Sequence, residues 1–181
     1  NAQGTDIEVD TAHCVGVAEH VLDMAPGVEL YCIYVEDEVD LANAAAYMRA
    51  NGIHVANHSV GWVNSSYYDD TGPITAIINA SRDSDNVFWA VSAGNDAEAH
   101  WRGGWSDADA DSVLEFSGSD ELMAITGSGA SASVFLNWDQ YGNSVTDLDM
   151  YAVDSDGTVV ASSEGWQEGA QSPAEAVSFS L

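Results

Sequence analysis

The sequence predicts an α/β fold: a doubly wound parallel sheet over residues 1–112, followed by an antiparallel β-sandwich over residues 113–181. Three observations predict it. In the first half, apolar β-rich runs alternate with segments of helical period. Beyond residue 113 only short strand patterns occur, separated by turn residues such as Asp156-Gly157. The apolar fraction of 46%, with six Trp, seven Tyr and four Phe, is enough to build a core under a heavy charge.

Residues 11–23 place Val15, Ala18 and Leu22 at helical spacing with Val17 and Val21 beside them, and Pro26-Gly27 stops that helix. Residues 30–35, Leu-Tyr-Cys-Ile-Tyr-Val, read as an apolar strand. Asp40 reads as the N-cap of a helix running through Ala50, which Asn51-Gly52 terminates. Residues 53–60 form the next strand. Residues 73–82 form a third helix with Ile74, Ile77 and Ile78 on its inner face, and residues 87–91 a buried strand. Residues 96–112 are a polar loop region holding Trp101 and Trp105 near Gly103-Gly104. Six strands follow at residues 114–116, 122–125, 134–138, 149–153, 159–162 and 176–179, the pattern of a small sandwich whose last strand is incomplete at Leu181.

Three basic residues against 30 acidic ones give a net charge of −27. Self-repulsion on that scale opposes a compact state in dilute buffer and is screened within about 10 Å at 0.1 M salt. The acids are spread along the chain, which points to a protein adapted to high salt; a merely acidic secreted protein is the plainer alternative. Arg49, Arg82 and Arg102 cannot assemble a basic patch, so nucleic acid is excluded as a partner. No run of 18 apolar residues is present to span a membrane, and Asn1-Ala2-Gln3-Gly4 shows neither a basic leader nor an apolar core of a signal peptide. Cys14 and Cys32, on the first helix and the strand after it, admit either a bridge or two thiols.

The chemistry gathers in a few motifs. Residues 87–91, Val-Phe-Trp-Ala-Val, end at Ser92-Ala93-Gly94-Asn95, where small residues let the chain turn and leave one amide side chain at the strand's carboxyl end. Open α/β sheets hold their sites at that edge, and a neutral donor there can stabilise an oxyanion. Upstream stand His13-Cys14-Val15-Gly16-Val17-Ala18-Glu19, then Asp23-Met24-Ala25-Pro26-Gly27, then Asn57-His58-Ser59-Val60-Gly61.

In this order these motifs, over roughly residues 9–125, resemble the subtilisin-like serine peptidases. The resemblance implies a partial subtilisin-type parallel sheet and a secreted endopeptidase acting on peptide or protein substrates. It implies His13 as general base and Asn95 as oxyanion donor. Ser59 and Gly61 would present backbone to an extended substrate by strand addition. Asp147-Leu148-Asp149-Met150-Tyr151 resembles a strand of the β-sandwich domains that accompany secreted peptidases, here as an insertion. No Gly-Thr-Ser-x-Ala nucleophile motif follows Asn95, and no apolar strand ending in Asp precedes His13. The resemblance therefore implies a segment without the nucleophile and the acidic triad member, inactive alone.

Each residue also has a plainer reading. His13 can be a helix-start histidine, Asn95 a turn asparagine, and Ser59 and Gly61 an ordinary strand end. Asp107, Asp109 and Asp111 have the first, third and fifth positions of a calcium loop, but Ser112 stands where such loops carry Gly, so a solvated acidic loop competes with a cation site. Asp147, Asp149 and Asp154 are a second, weaker calcium set. His54, His58 and His100 lack the further ligands zinc needs, and no phosphate loop implies a nucleotide. No cofactor is required; calcium is the one the spacing admits. Two function classes compete: an endopeptidase segment, and a peptidase-like binding or structural module without catalysis. Cys14 and Val15, standing where the family has small residues, favour the second.

Overall fold

The structure, a computed structural model, describes residues 12–127 and 129–181. The start of the first helix at Thr11 and the reading of Asn1-Ala2-Gln3-Gly4 lie outside the described residues.

Helix α1 spans His13–Met24, α2 Glu38–Asn51 and α3 Pro73–Asp85; strand β1 spans Val55–His58 and β2 Phe88–Val91. The end signals explain the helices. Asp37 caps α2, its carboxylate accepting the Asp40 N–H at 2.9 Å, while Asp40 accepts the Glu36 N–H at 3.2 Å. The cap is thus Asp37 and not Asp40, which belongs to the first turn. Gly52 closes α2 in the left-handed conformation, as Asn86 closes α3. Pro73 opens α3, where its missing N–H costs nothing.

Leu41, Ala44, Ala45 and Met48 recur at helical spacing and bury one stripe of α2. Ala45 and Met48 pack with Val87 into a core, against which Ile53, Ala56, Ile77 and Trp89 lean. Truncating Met48 to Ala there costs about 2–5 kcal/mol by the usual cavity penalty. Arg49 at the end of α2 pairs loosely with Asp85 of α3 at 3.9 Å.

β1 and β2 are parallel, in the register Val55↔Phe88 to His58↔Val91, and form a two-stranded sheet. The connection between them runs through α3, as a parallel pair requires. Residues 30–35, expected as a strand, are not among the strands that the described residues form. Leu30, Tyr31, Ile33 and Tyr34 are exposed there.

Past Val91 no helix occurs among the described residues. Strand β3 (Ser131–Asn137) pairs antiparallel with β6 (Ala174–Ser180), and β4 (Met150–Val153) with β5 (Val159–Ser163) around a turn in which Asp154 accepts the Asp156 and Thr158 N–H groups at 2.9 Å each. The second half is therefore antiparallel, built as two ribbons of two strands. Residues 114–116 and 122–125 are not strands. In the first of these, the Phe116 N–H donates to Asp120 O at 2.7 Å and the Glu115 N–H to Ser106 O at 2.9 Å; at the second, the Leu122 N–H donates to the Asp120 carboxylate at 3.1 Å.

The loop after β1 joins the two halves. Asn64 donates to the Glu175 carbonyl of β6 at 2.8 Å. Glu175 is itself buried, and its carboxylate accepts from the Gly165 N–H, the Ser163 hydroxyl and the Gln167 amide.

Candidate active site

The carboxyl ends of β1 and β2 lie side by side, and three elements meet there. β1 leads into residues 59–61, β2 into residues 92–95, and α1 brings its first residue to the same edge. His13 Nε2 lies 3.0 Å from the Ser59 carbonyl oxygen. A carbonyl only accepts, so Nε2 carries the proton in this arrangement. For Nε2 to take a proton it must first leave Ser59.

Ser59 is half-buried, and its hydroxyl accepts from the Asn57 amide at 3.1 Å. Gly61 is exposed, with nothing within 4 Å of the place a Cβ would occupy. Its open side meets no neighbour among the described residues. The Ser92 N–H donates to the His58 carbonyl at 3.1 Å, extending the parallel ladder one residue beyond the strands. Gly94, at φ 86, then turns the chain in a conformation that side chains avoid. Asn95 follows, exposed, its amide making no hydrogen bond among the described residues. It sits at the carboxyl end of β2.

An open groove of about 690 Å³ runs along α1 beside this edge, lined by His13, Val17, His20 and Met24 and by Asn57 and Ser59 of β1's end. None of the α1 residues is buried. His20, one of the residues sequence reasoning passed over, is held by Nδ1 at 2.7 Å from the Gly16 carbonyl.

A second missed group is His58. It is buried, and its Nε2 accepts the Trp62 indole N–H at 2.7 Å, with the two rings stacked at 13°. Burial lowers its pKa from the usual histidine value. The signal in the sequence was the four-residue spacing of an imidazole acceptor and an indole donor across Ser59-Val60-Gly61.

Asp107, Asp109 and Asp111 do come together, one oxygen of each within 4.8 Å of the others. Asp107 accepts the N–H groups of Asp111 and Ser112 at 3.1 and 3.2 Å, which wraps the loop around it. Ser112 adopts φ 74, the conformation the missing glycine would have supplied. Glu121 has its pKa raised by repulsion, first from Asp111 and also from Asp109, Glu115 and Asp107, with some desolvation. The oxygen-only donor set fits a hard cation. Asp147, Asp149 and Asp154 form no such cluster among the described residues. Asp147 instead accepts the Gln167 N–H at 2.9 Å, and Asp154 holds its hairpin turn. His54, His58 and His100 form no metal cluster among the described residues either. No helix is long and apolar enough to cross a membrane among the described residues.

Neither a curated protein nor a solved structure matches the chain. The sequence pattern of the Subtilase family does, over residues 8–175, from the approach to α1 into β6. The match spans α1, both parallel strands and the turn at residues 92–95. This chain belongs to the subtilase family of serine peptidases.

Proposed function

We propose that the chain is a segment of a secreted, salt-adapted subtilisin-like serine endopeptidase, which hydrolyses peptide bonds by acyl transfer. His13 is its general base and Asn95 its oxyanion donor, and residues 59–61 receive an extended peptide as an added strand. The observation that carries the reading is the approach of His13 to Ser59 at the carboxyl edge of β1 and β2, beside the turn that presents Asn95. A base, a donor and an open backbone edge are what acyl transfer needs around a nucleophile. No Gly-Thr-Ser-x-Ala motif lies within residues 1–181 to provide that nucleophile, so these residues alone bind and do not cleave. Residues 1–112 form the subtilisin-type unit, and the two ribbons belong to an inserted β-sandwich over residues 113–181. Asp107, Asp109 and Asp111 hold a calcium ion in this reading.

The second reading is a peptidase-like binding module without catalysis. The proton that His13 Nε2 gives to Ser59 favours it, since that nitrogen is then no base.

Gly61→Ala separates a substrate edge from an ordinary strand end. Its added methyl meets nothing within 4 Å in the chain, so the melting temperature should hold. Affinity for a blocked alanine tetrapeptide, measured by calorimetry, should fall about tenfold, or ~1.4 kcal/mol. A wild-type chain that binds no peptide, or a variant that binds it equally well, would overturn the substrate-edge assignment.

A further inference from the structure

His58 and Trp62 bracket the three residues of the proposed substrate edge, and their mutual geometry is over-determined. The indole nitrogen of Trp62 has only a proton to give, so its 2.7 Å contact assigns His58 Nε2 as acceptor and His58 as neutral. The Trp89 ring meets His58 edge-on, centroids 5.8 Å apart, and the Trp89 indole N–H donates to the buried Ser81 hydroxyl of α3 at 3.2 Å. From behind, the Ser92 N–H holds the His58 carbonyl. His58 is thus pinned to β2 and α3, and passes that anchorage to Trp62 across a span of four residues.

We propose that His58 is a positioning residue: neutral and pinned by Trp89, it holds Trp62 and so fixes the backbone of residues 59–61 in the conformation that receives an extended peptide. Among the described residues, the rings packed on the imidazole are those of Trp62 and Trp89. Neither titrates, and burial is the cause that acts on its proton affinity. The positioning therefore has a direction in pH. Burial disfavours the imidazolium, so the neutral contact is fully present above the ordinary histidine pKa and is lost as pH falls through the lowered value of the folded chain. Protonated, Nε2 points an N–H at an indole N–H. The acceptor is gone and the bracket opens.

The peptide-binding arm of the test rests on the proposed function; the indole arm does not. In the full chain, the Trp62 indole N–H is followed by NMR from pH 8 to pH 4, together with calorimetric binding of the blocked alanine tetrapeptide. The Trp62 resonance should move with the His58 ring protons, at one shared midpoint below that of an exposed histidine. Exchange of that N–H with solvent should rise about tenfold, as expected for one lost hydrogen bond. His58→Gln keeps an acceptor near the Nε2 position and does not titrate, so its Trp62 signal should stay flat and its peptide affinity near wild type. His58→Phe keeps a ring without an acceptor, and should bind about tenfold more weakly at every pH. A Trp62 signal that ignores the His58 titration, or a His58→Phe chain matching wild type in both signals, would overturn the proposal. If no variant and no wild type binds peptide while Trp62 still tracks His58, the substrate reading fails and the positioning contact stands.

Discussion

Ser92 reaches across the end of the parallel pair to Val60, its hydroxyl donating to the Val60 carbonyl at 3.2 Å. With the Ser92 N–H on His58 O, this closes a two-point link between the proposed oxyanion turn and the proposed substrate edge. The two segments are therefore one mechanical unit, and a change in either is felt by the other.

Ser92→Ala removes the side-chain half of that link. Because the hydroxyl is exposed, stability should fall by no more than about 1 kcal/mol. Amide exchange at residues 60 and 61 should nevertheless rise. A variant with unchanged exchange in that segment would show that the hydroxyl contact ties nothing.

Gly72 gives a sharper expectation. It stands at φ 106 before α3, and a Cβ there would lie 2.6 Å from the Ser66 Cα, a backbone atom that cannot step aside. Gly72→Ala should cost about 1–3 kcal/mol by urea denaturation, from the strained backbone alone and before the clash is counted. Stability equal to wild type would mean that the loop at residues 65–66 does not pack against this turn.

Much of this was legible in the residues. The three helices, the parallel pair and the antiparallel second half follow from apolar spacing and from Pro73 and Gly52 at helix ends, while the third helix runs three residues past the expected Arg82 to its left-handed stop at Asn86. The cap of α2 was read three residues late because Asp37 and Asp40 are both good caps, and only the hydrogen bond from Asp40 N–H to Asp37 tells them apart. Residues 30–35 carry a strand's composition, yet whether a run forms a ladder is decided by its neighbours and not by the run itself. At the site, motif order singled out His13, Ser59 and Asn95, and the structure brings His13 within 3.0 Å of the Ser59 carbonyl. The tautomer of His13 and the His58–Trp62 contact did not, because both depend on which atoms the fold brings within 3 Å.

The acidic loop should respond to pH and to calcium together. Glu121, whose pKa repulsion raises, opposes folding most once it is ionised, so the destabilisation grows as pH rises through its folded value. Glu121→Gln should raise the melting temperature at pH 7 and make no difference once both forms are neutral in acid. Calcium at millimolar levels should raise the melting temperature of the metal-stripped chain, and Asp109→Asn should abolish that gain. A chelated sample that melts alike with and without calcium would remove the cation site.

Salt should act on the whole chain. With a net charge of −27, the melting temperature should climb steeply as the first ~0.1 M of salt screens the repulsion. A protein adapted to brine should go on gaining stability towards about 2 M, past the range of simple screening. A plateau after the first rise would leave an acidic protein without salt adaptation.

In the proposed function, residues 1–181 carry a base, an oxyanion donor and a substrate edge without the nucleophile that would cleave a peptide. Labelling of the purified chain by a fluorophosphonate, read by intact mass, tests this most directly. Ser59 sits in the substrate edge with its carbonyl on His13 Nε2, and Ser92 is tied to Val60, so neither hydroxyl is aligned with the base. The expected result is no mass shift, with or without His13→Ala. Stoichiometric labelling of the wild-type chain that His13→Ala abolishes would contradict the account, because it would require a serine already activated by His13 within these residues.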